Sequence, residues 1–440
     1  MLKGKMRVTY ITAGAADMIC GSCLRDNALV RKLREQGCEV TLVPVYTPIT
    51  VEEEDFSTDK LLLGGISVYL EQSSRFFRKL PNFLTNWLDH PSVVKFFTSR
   101  KPIQVEAENL GNLTLSILEG ENGNQKRSFN KAFKWILEEA KPEILNFSNL
   151  LIAGLAPKFK SETNLPIVVT LQGDDLFIND FKEDNRNKII EKLKIIATSV
   201  DAFITFSQFY SEKMATLLDI PIEKFHIINL GIDAESFSEI QVENSESRTI
   251  GYFGRIAPEK GFHNAINSFI EINKGNTNEK VSLVAGGWLS EADKDYFNEQ
   301  LEKINSHNLS SYFEYIGSPD LEKKKELFKR VKVFTLPTDQ DEPKGLSVLE
   351  AQASGIPVIQ PNKGIFPEML SKTKGGILYN AEDSSALSKE ILALLDNPER
   401  AAALGEAGRR NTLNYFNDKK MTTDTYSVYE KLLARQKISK

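Results

Sequence analysis

The stretch Asp339-Gln-Asp341-Glu342-Pro-Lys344-Gly345-Leu346-Ser347-Val-Leu349-Glu350-Ala-Gln-Ala353-Ser-Gly355-Ile-Pro357 decides how the second half of the chain is read. Leu346, Leu349 and Ala353 keep helical spacing, and Gly355 followed by Pro357 is a stop signal. Gly345 therefore marks a junction between loop and helix. A helix that begins there leaves its first backbone N–H groups without acceptors and turns its positive dipole end outward, which suits an anion. Two carboxylates bracket the junction, Glu342 on the loop and Glu350 about one turn into the helix. Together they suit a ligand carrying both phosphates and hydroxyls. The plain alternative is a solvated helix with two surface glutamates.

A second segment supports the first reading. Arg248-Thr-Ile leads into Gly251-Tyr-Phe-Gly254-Arg255-Ile-Ala-Pro-Glu-Lys260-Gly261, a short buried strand running into a glycine-punctuated loop. Arg255 and Lys260 are fixed cations where the chain leaves that strand, at the usual mouth of an open parallel sheet. Arginine offers paired donors to a phosphate and lysine a point charge. Taken alone, the two could form an ordinary surface salt bridge.

In this order, Gly-Arg-x4-Lys followed by Glu-x7-Glu resembles glycosyltransferase family 4 (group 1), retaining enzymes of the GT-B fold. Asn229-Leu-Gly231-Ile-Asp233 resembles the turn before that family's second domain, and Leu283-Val-Ala-Gly286-Gly287 and Tyr315-Ile-Gly317 resemble its next core strands. Gly375-Gly376-Ile-Leu-Tyr resembles the glycine-rich turn before its last strand. The resemblance is specific over about 225–385 and looser before it. It implies an α/β fold with two Rossmann-like domains facing each other across a cleft and a C-terminal helix crossing back to the first. It also implies transfer of a sugar from a nucleoside-diphosphate sugar to a carbohydrate or lipid-linked acceptor. Uridine diphosphate is the first candidate carrier, with guanosine and adenosine diphosphates as alternatives.

By the same resemblance, Arg255 and Lys260 hold the leaving diphosphate, helped by the N–H groups of Leu346 and Ser347. Glu350 holds the ribose hydroxyls, Glu342 the transferred sugar, and backbone near Gly317 the base. Gly254 and Gly345 permit close approach of the backbone. Fixed cations and the helix start stand in for a metal, and no cofactor is implied. Asp339-Gln-Asp341 spells the Asp-x-Asp of metal-dependent transferases, but its place before this signature reads as loop polarity.

Composition agrees with an ordinary globular chain. Its 440 residues are 41% hydrophobic and 26% charged, with a net charge of −5 that argues against nucleic acid as a partner. No apolar run approaches the roughly 18 residues that span a bilayer. The three cysteines and the strand-like Met6–Thr12 start, unlike a signal peptide, lead to an expectation of a cytoplasmic setting, with peripheral contact at the inner membrane face left open. Strand-like runs at 7–12, 39–45, 167–171 and 202–206, then at 248–253, 281–285, 313–316, 332–336 and 357–360, alternate with helical segments. The domains are placed at 1–240, completed by a helix at about 418–440, and 248–415, with 238–247 as linker.

The first half departs from the family. Ile167–Leu171 reads as a buried strand ending in Gln172-Gly-Asp174-Asp175, and glutamine stands where many members have histidine. Glutamine hydrogen-bonds but does not titrate near neutrality. Asp174 and Asp175 are candidates to orient the acceptor or to cap the next turn. Ser207 reads as a helix cap. In the first βα turn, Cys20-Gly21-Ser-Cys23 replaces a glycine pair, and a helix start favours thiolate. Gly21, Arg25 and Asn27 are cleft candidates, with local pairing as the alternative. A thiol-redox or binding protein using Cys20 and Cys23 is the rival from another class, and a nucleotide-sugar hydrolase or epimerase the rival within the fold.

Residues 48–130 are longer than a plain connection. Arg75–Lys79, Asn82–Trp87 and Lys95–Arg100 mix aromatic rings with cations, which suits an interfacial helix or an acceptor groove. Core packing is the ordinary explanation.

Overall fold

A computed structural model describes residues 6–14, 20–80, 93, 107–243, 247–275 and 279–438. The chain forms two compact units, Met1–Ile228 with Met421–Lys440, and Asn229–Lys420.

The first unit is built on six parallel strands, β1 (Arg7–Thr12), β2 (Glu39–Pro44), β3 (Ile144–Phe147), β4 (Ile167–Thr170), β5 (Ala202–Thr205) and β6 (Phe225–Ile227). Their order is β2-β1-β3-β4-β5-β6. Successive side chains alternate between two cores. Ile11, Leu145, Phe147, Val169 and Phe203 face one, and Val8, Tyr10, Ile144, Val168 and Ile204 the other. Both faces are covered, so β3, β4 and β5 read as short apolar runs rather than alternating ones.

The last helix, Asp418–Ile438, joins this unit from Met421 onward. Met421, Tyr426, Val428, Tyr429 and Leu432 pack with Leu29, Val30 and Leu33 of the helix Gly21–Glu35. The Tyr429 hydroxyl donates to Asn146 Oδ1 at 2.8 Å, which anchors the helix to β3.

The second unit carries β7 (Thr249–Phe253), β8 (Ser282–Gly286), β9 (Phe313–Tyr315), β10 (Val333–Phe334), β11 (Val358–Pro361) and β12 (Gly376–Tyr379). All are parallel, in the order β12-β11-β10-β7-β8-β9. The chain order reverses between β7 and β10. At such a switch point the loops leaving neighbouring strands run apart and open a crevice at the carboxyl edge.

Three expectations change. The boundary lies at 228/229, not 240, because the polar run taken as a linker is anchored in the second unit. Phe237 and Ile240 are buried, the Phe237 ring meets Phe328 edge-on at 5.9 Å, and Ile240 O accepts from Arg409 Nη2. Gly376–Tyr379 is itself the last strand, with Gly376 in register with Val358 and too close to Val358 O (2.2 Å) for a Cβ. Strands β3 and β6 add to the expected set; they are only four and three residues long.

In the long insertion, the described residues include the helices Gly65–Ser73 and Ala107–Leu118. Arg78 and Arg127 turn inward there. Arg78 Nη2 donates to Gln72 O at 3.0 Å, and Arg127 Nε to Glu71 Oε1 at 3.0 Å. Phe76, 75% exposed, and the exposed Arg75 keep the pairing of ring and cation expected at the surface of that segment. Asn82–Trp87 and Lys95–Arg100 lie outside the described residues. Among the described residues no helix is long and apolar enough to cross a membrane.

The buried Tyr429–Asn146 bond gives a stability test. Tyr429→Phe leaves Asn146 Oδ1 short of a donor and should cost about 1–2 kcal/mol. In a unit of this size that is a drop of about 2–8 °C in melting temperature. An unchanged melt would show that the hydroxyl contributes nothing to holding the helix.

Candidate functional site

The loops leaving β7 and β10 are stitched together. Tyr252, fully buried on β7, directs its hydroxyl to Arg255 O at 3.0 Å and Lys260 O at 3.3 Å, holding both ends of the cationic loop. Pro258–Lys260 forms a 3-10 turn that Gly261 closes at φ +68°. A Cβ on Gly261 would lie 1.8 Å from Pro337 O, so glycine is what lets the two loops touch. Thr338 Oγ1 donates to Glu259 O at 2.7 Å, and the Asp339 N–H reaches the same carbonyl at 3.2 Å.

That stitching brings Lys260 Nζ to 2.6 Å from Glu342 Oε2. Glu342 Oε1 accepts from the N–H groups of Lys344 (3.2 Å) and Gly345 (3.3 Å). The carboxylate is buried, and burial alone would raise its pKa. Lys260 overrides that by charge and hydrogen bond, with help from Lys344 and the Gly345 N–H, and holds Glu342 below the usual glutamate range. Gly345, in the left-handed region at φ +69°, starts the helix Leu346–Ala353. Leu346 and Ser347 stand in its first turn, where backbone N–H groups have no intrahelical acceptor.

Lys260, Glu342, Gly345, Leu346 and Ser347 are therefore gathered at one place. Arg255 is on the same loop, 41% exposed, with its guanidinium on Glu259 rather than on Glu342. Glu350 is on the same helix, but its Oε1 pairs with Lys324 Nζ at 2.8 Å. Gly254 continues the β7 ladder through Gly286 O at 3.0 Å, and a side chain there would meet Leu336. Gly317, at φ +73°, has open space where a Cβ would sit, and its carbonyl accepts from the Gly287 N–H at 2.7 Å. Asp339 is engaged by His263 Nε2 at 3.1 Å and Asn264 Nδ2 at 2.8 Å. Among the described residues, no three His, Cys, Asp or Glu converge as a metal group.

In the first unit the candidates sit at the carboxyl edge of β1 and β4, but most are turned inward. Arg25, 1% exposed, donates to Tyr10 Oη at 2.6 Å and Asp26 Oδ1 at 3.2 Å. Asn27 holds a loop through Glu54 O (2.8 Å) and Phe56 N (2.9 Å). Both side chains are buried and engaged locally, the alternative named for them, although Arg25 Nε and Nη2 have no hydrogen-bond partner among the described residues. Gly21 opens the helix after Cys20.

Gln172 Nε2 donates to Asp26 Oδ1 at 3.0 Å and Ser148 O at 3.1 Å, while its Oε1 has no protein partner among the described residues. Asp174 accepts from Leu150 N (2.6 Å) and Gln172 N (3.0 Å), and burial lifts its pKa to about 6. Asp175 takes Tyr210 Oη and Lys213 Nζ, each at 2.8 Å. Neither aspartate caps the turn by its side chain, since Gly173 starts that helix. Ser207 does cap its helix, accepting from Tyr210 N at 3.1 Å. Cys20 and Cys23 form no disulfide. The lowered thiol pKa expected of the helix start is reversed at Cys23, which its hydrogen bond with Cys20, and then burial, push upward.

Three contributors escaped the sequence reading. Tyr252 and Thr338 carry no motif. Lys324 hides in the charged run Leu321–Arg330, although it is in helical phase with the buried Leu327 and Phe328.

Residues 233–411 match the family described as glycosyl transferases group 1. A glycogen synthase of Mycobacterium tuberculosis is 25% identical over 52% of this chain and 54% of its own length. An MMP alpha-(1->4)-mannosyltransferase of Mycolicibacterium hassiacum is 25% identical over 56% of this chain and 58% of its own. The chain thus spans about half the length of these relatives. In three dimensions, a sucrose-phosphate synthase from Thermosynechococcus elongatus superposes over 98% of this chain and 100% of its own, with a TM-score of 0.69 at 16% identity. The Anabaena protein HepE, solved with UDP and glucose, does so over 97% of this chain and 100% of its own, with a TM-score of 0.65 at 14% identity. The two parallel six-stranded sheets are those of the GT-B class.

The Glu342 contact has a definite pH signature. Its folded pKa is lower than the 4.5 of the free side chain, so the contact stabilises fully above that value and weakens as pH falls through the folded value. Melting curves of the wild type and Glu342→Gln should therefore converge as pH is lowered below about 4.5. Parallel curves down to pH 3 would show that the contact adds no stability.

Proposed function

We propose that this chain, whose second unit is a group 1 glycosyltransferase domain, moves a sugar from a nucleoside-diphosphate sugar to a hydroxyl acceptor with retention and without a resident metal or cofactor. The observation that carries the reading is the Lys260–Glu342 contact beside the Gly345 helix start, at the switch point of the second sheet. A transferase must stabilise the negative charge that grows on the departing diphosphate. Lys260 has three donors and spends one on Glu342, so it meets a phosphate already oriented. The N–H groups of Leu346 and Ser347 add fixed donors. Arg255 leaves its exposed partner at small cost, because such a pair contributes little, and adds a second cation.

Glu342 is assigned to the hydroxyls of the transferred sugar and Glu350 to those of the ribose. Gly317 backbone is assigned to the base, with uridine diphosphate the first carrier to test. The acceptor is assigned to the first unit. Gln172 Oε1 is the acceptor atom that its amide leaves unused there. In the proposed step the bond from the anomeric carbon to the diphosphate oxygen breaks and the acceptor oxygen bonds to the same face. The acceptor's proton passes to the departing phosphate. A cytoplasmic location is part of this reading, since nucleoside-diphosphate sugars are soluble donors.

A thermal-shift screen of UDP, GDP and ADP sugars comes first, because a ligand bound only by the folded state raises the melting temperature. With the donor so found, Lys260→Ala and Glu342→Ala should each lower transfer about a hundredfold or more, measured on samples with a native melt. Near-normal transfer by either variant would overturn the assignment. Donor turnover without acceptor at the rate of transfer would replace it with hydrolysis or epimerisation.

A further inference from the structure

Glu350 is held by a lysine that is almost wholly enclosed. Lys324, 2% exposed, projects from the helix Leu321–Arg330 and places its ammonium 2.8 Å from Glu350 Oε1. The same ammonium lies 4.8 Å from the centre of the Phe253 ring and 5.8 Å from that of Phe237. Phe253 is the last residue of β7, directly before Gly254 and Arg255. One buried cation thus ties the exit of β7 to the Leu346–Ala353 helix, the two elements that carry the phosphate-binding groups.

Burying an ion pair is a poor route to stability, since the attraction between the charges roughly repays their lost hydration. What such a pair does fix is orientation. Lys324 takes one oxygen of Glu350. The other, Oε2, has no protein partner among the described residues, and it is not one of the sealed, unpartnered polar atoms. The carboxylate, 9% exposed, therefore shows a single oxygen to solvent. Without the ammonium a glutamate rotates freely and loses orientation on binding, which weakens every hydrogen bond that it makes.

We infer that Lys324 is a positioning residue: it clamps Oε1 of Glu350 so that Oε2 alone is presented to the vicinal hydroxyls of a nucleotide ribose. The inference rests on the assignment of Glu350 to the ribose made above. It makes Lys324 part of the discrimination between ribose and deoxyribose carriers while leaving the diphosphate to Lys260 and Arg255. No other charged group offered by the two helices reaches Glu350 Oε1, so the run of three lysines, 323–325, is not interchangeable: Lys323 pairs with Asp320, which caps the helix, and Lys325 with Glu322.

The test compares UDP, GDP and ADP with their 2′,3′-dideoxy counterparts by titration calorimetry. For whichever base binds, the wild type should favour the ribose form at least tenfold. Lys324→Met should bring that ratio close to one while affinity for the dideoxy form stays within about threefold. Should Lys324→Met fail to fold, because Glu350 is left as a lone buried charge, Lys324→Arg carries the test: a folded Lys324→Arg with the full wild-type ratio would overturn the positioning role. Lys324→Arg, which keeps the charge but changes its reach, should give an intermediate ratio. If Glu350→Gln keeps the full ratio, the ribose assignment of Glu350 is wrong. If Glu350→Gln abolishes the ratio and a folded Lys324→Met retains it, Glu350 binds ribose unaided and the positioning role is overturned.

Discussion

A buried carboxylate must be met by a cation or by donors, and in the second unit that requirement organises everything around it. Glu342 lies on the loop after β10 and Lys260 on the loop after β7, and nothing local in either loop would bring them together. Their 2.6 Å contact is set by bonds that hold the loop backbones: those of the Tyr252 and Thr338 hydroxyls and of the Asp339 N–H, with Gly261 where the loops touch. The Gly345 N–H completes the coordination of Glu342 and at the same time starts the helix. One ionic contact therefore fixes the position of a cation, an acid and a helix terminus relative to the sheet.

The first unit solves a different problem with similar means. Asp26, fully buried, accepts from Tyr10 Oη, Thr12 Oγ1, Arg25 Nη1 and Gln172 Nε2, and Tyr429 binds the neighbouring Asn146. The network orients its members through the bonds it makes, while Arg25 Nε and Nη2 and Gln172 Oε1 are left without hydrogen-bond partners among the described residues. Gln172 gains from that. Its amide nitrogen faces two acceptors, so its orientation is set by chemistry and its Oε1 is the end left over. A histidine in its place would bring a titratable ring beside Asp26, so the glutamine and the buried acid belong to one design.

Much of this was legible beforehand. The glycines at 261 and 345, the carboxylates at 342 and 350 and the cations at 255 and 260 were found from residue type and spacing, because turns and helix starts impose local chemistry. The strands longer than three residues with apolar runs were found for the same reason, apart from β3 and β12. What failed were inferences about direction. Arg25 and Asn27 look like surface groups on a first helical turn and are buried, while the buried Ile240 lies within a run that looks like a linker. Cys23 sits where a helix start favours thiolate, yet Cys20, and then burial, dominate. Each depends on which elements pack against the segment, and no local pattern carries that information.

The chain alone determined the α/β alternation, the order of its strands along the sequence and the glycines, carboxylates and cations on which the proposed function rests, since backbone conformation and helix ends follow from neighbouring residues. Only the tertiary structure decided the reversal of strand order between β7 and β10, and with it which loops meet. It alone chose Glu342 as the partner of Lys260 and Lys324 as the partner of Glu350, because the energy of a buried charge is set by whatever the fold places beside it.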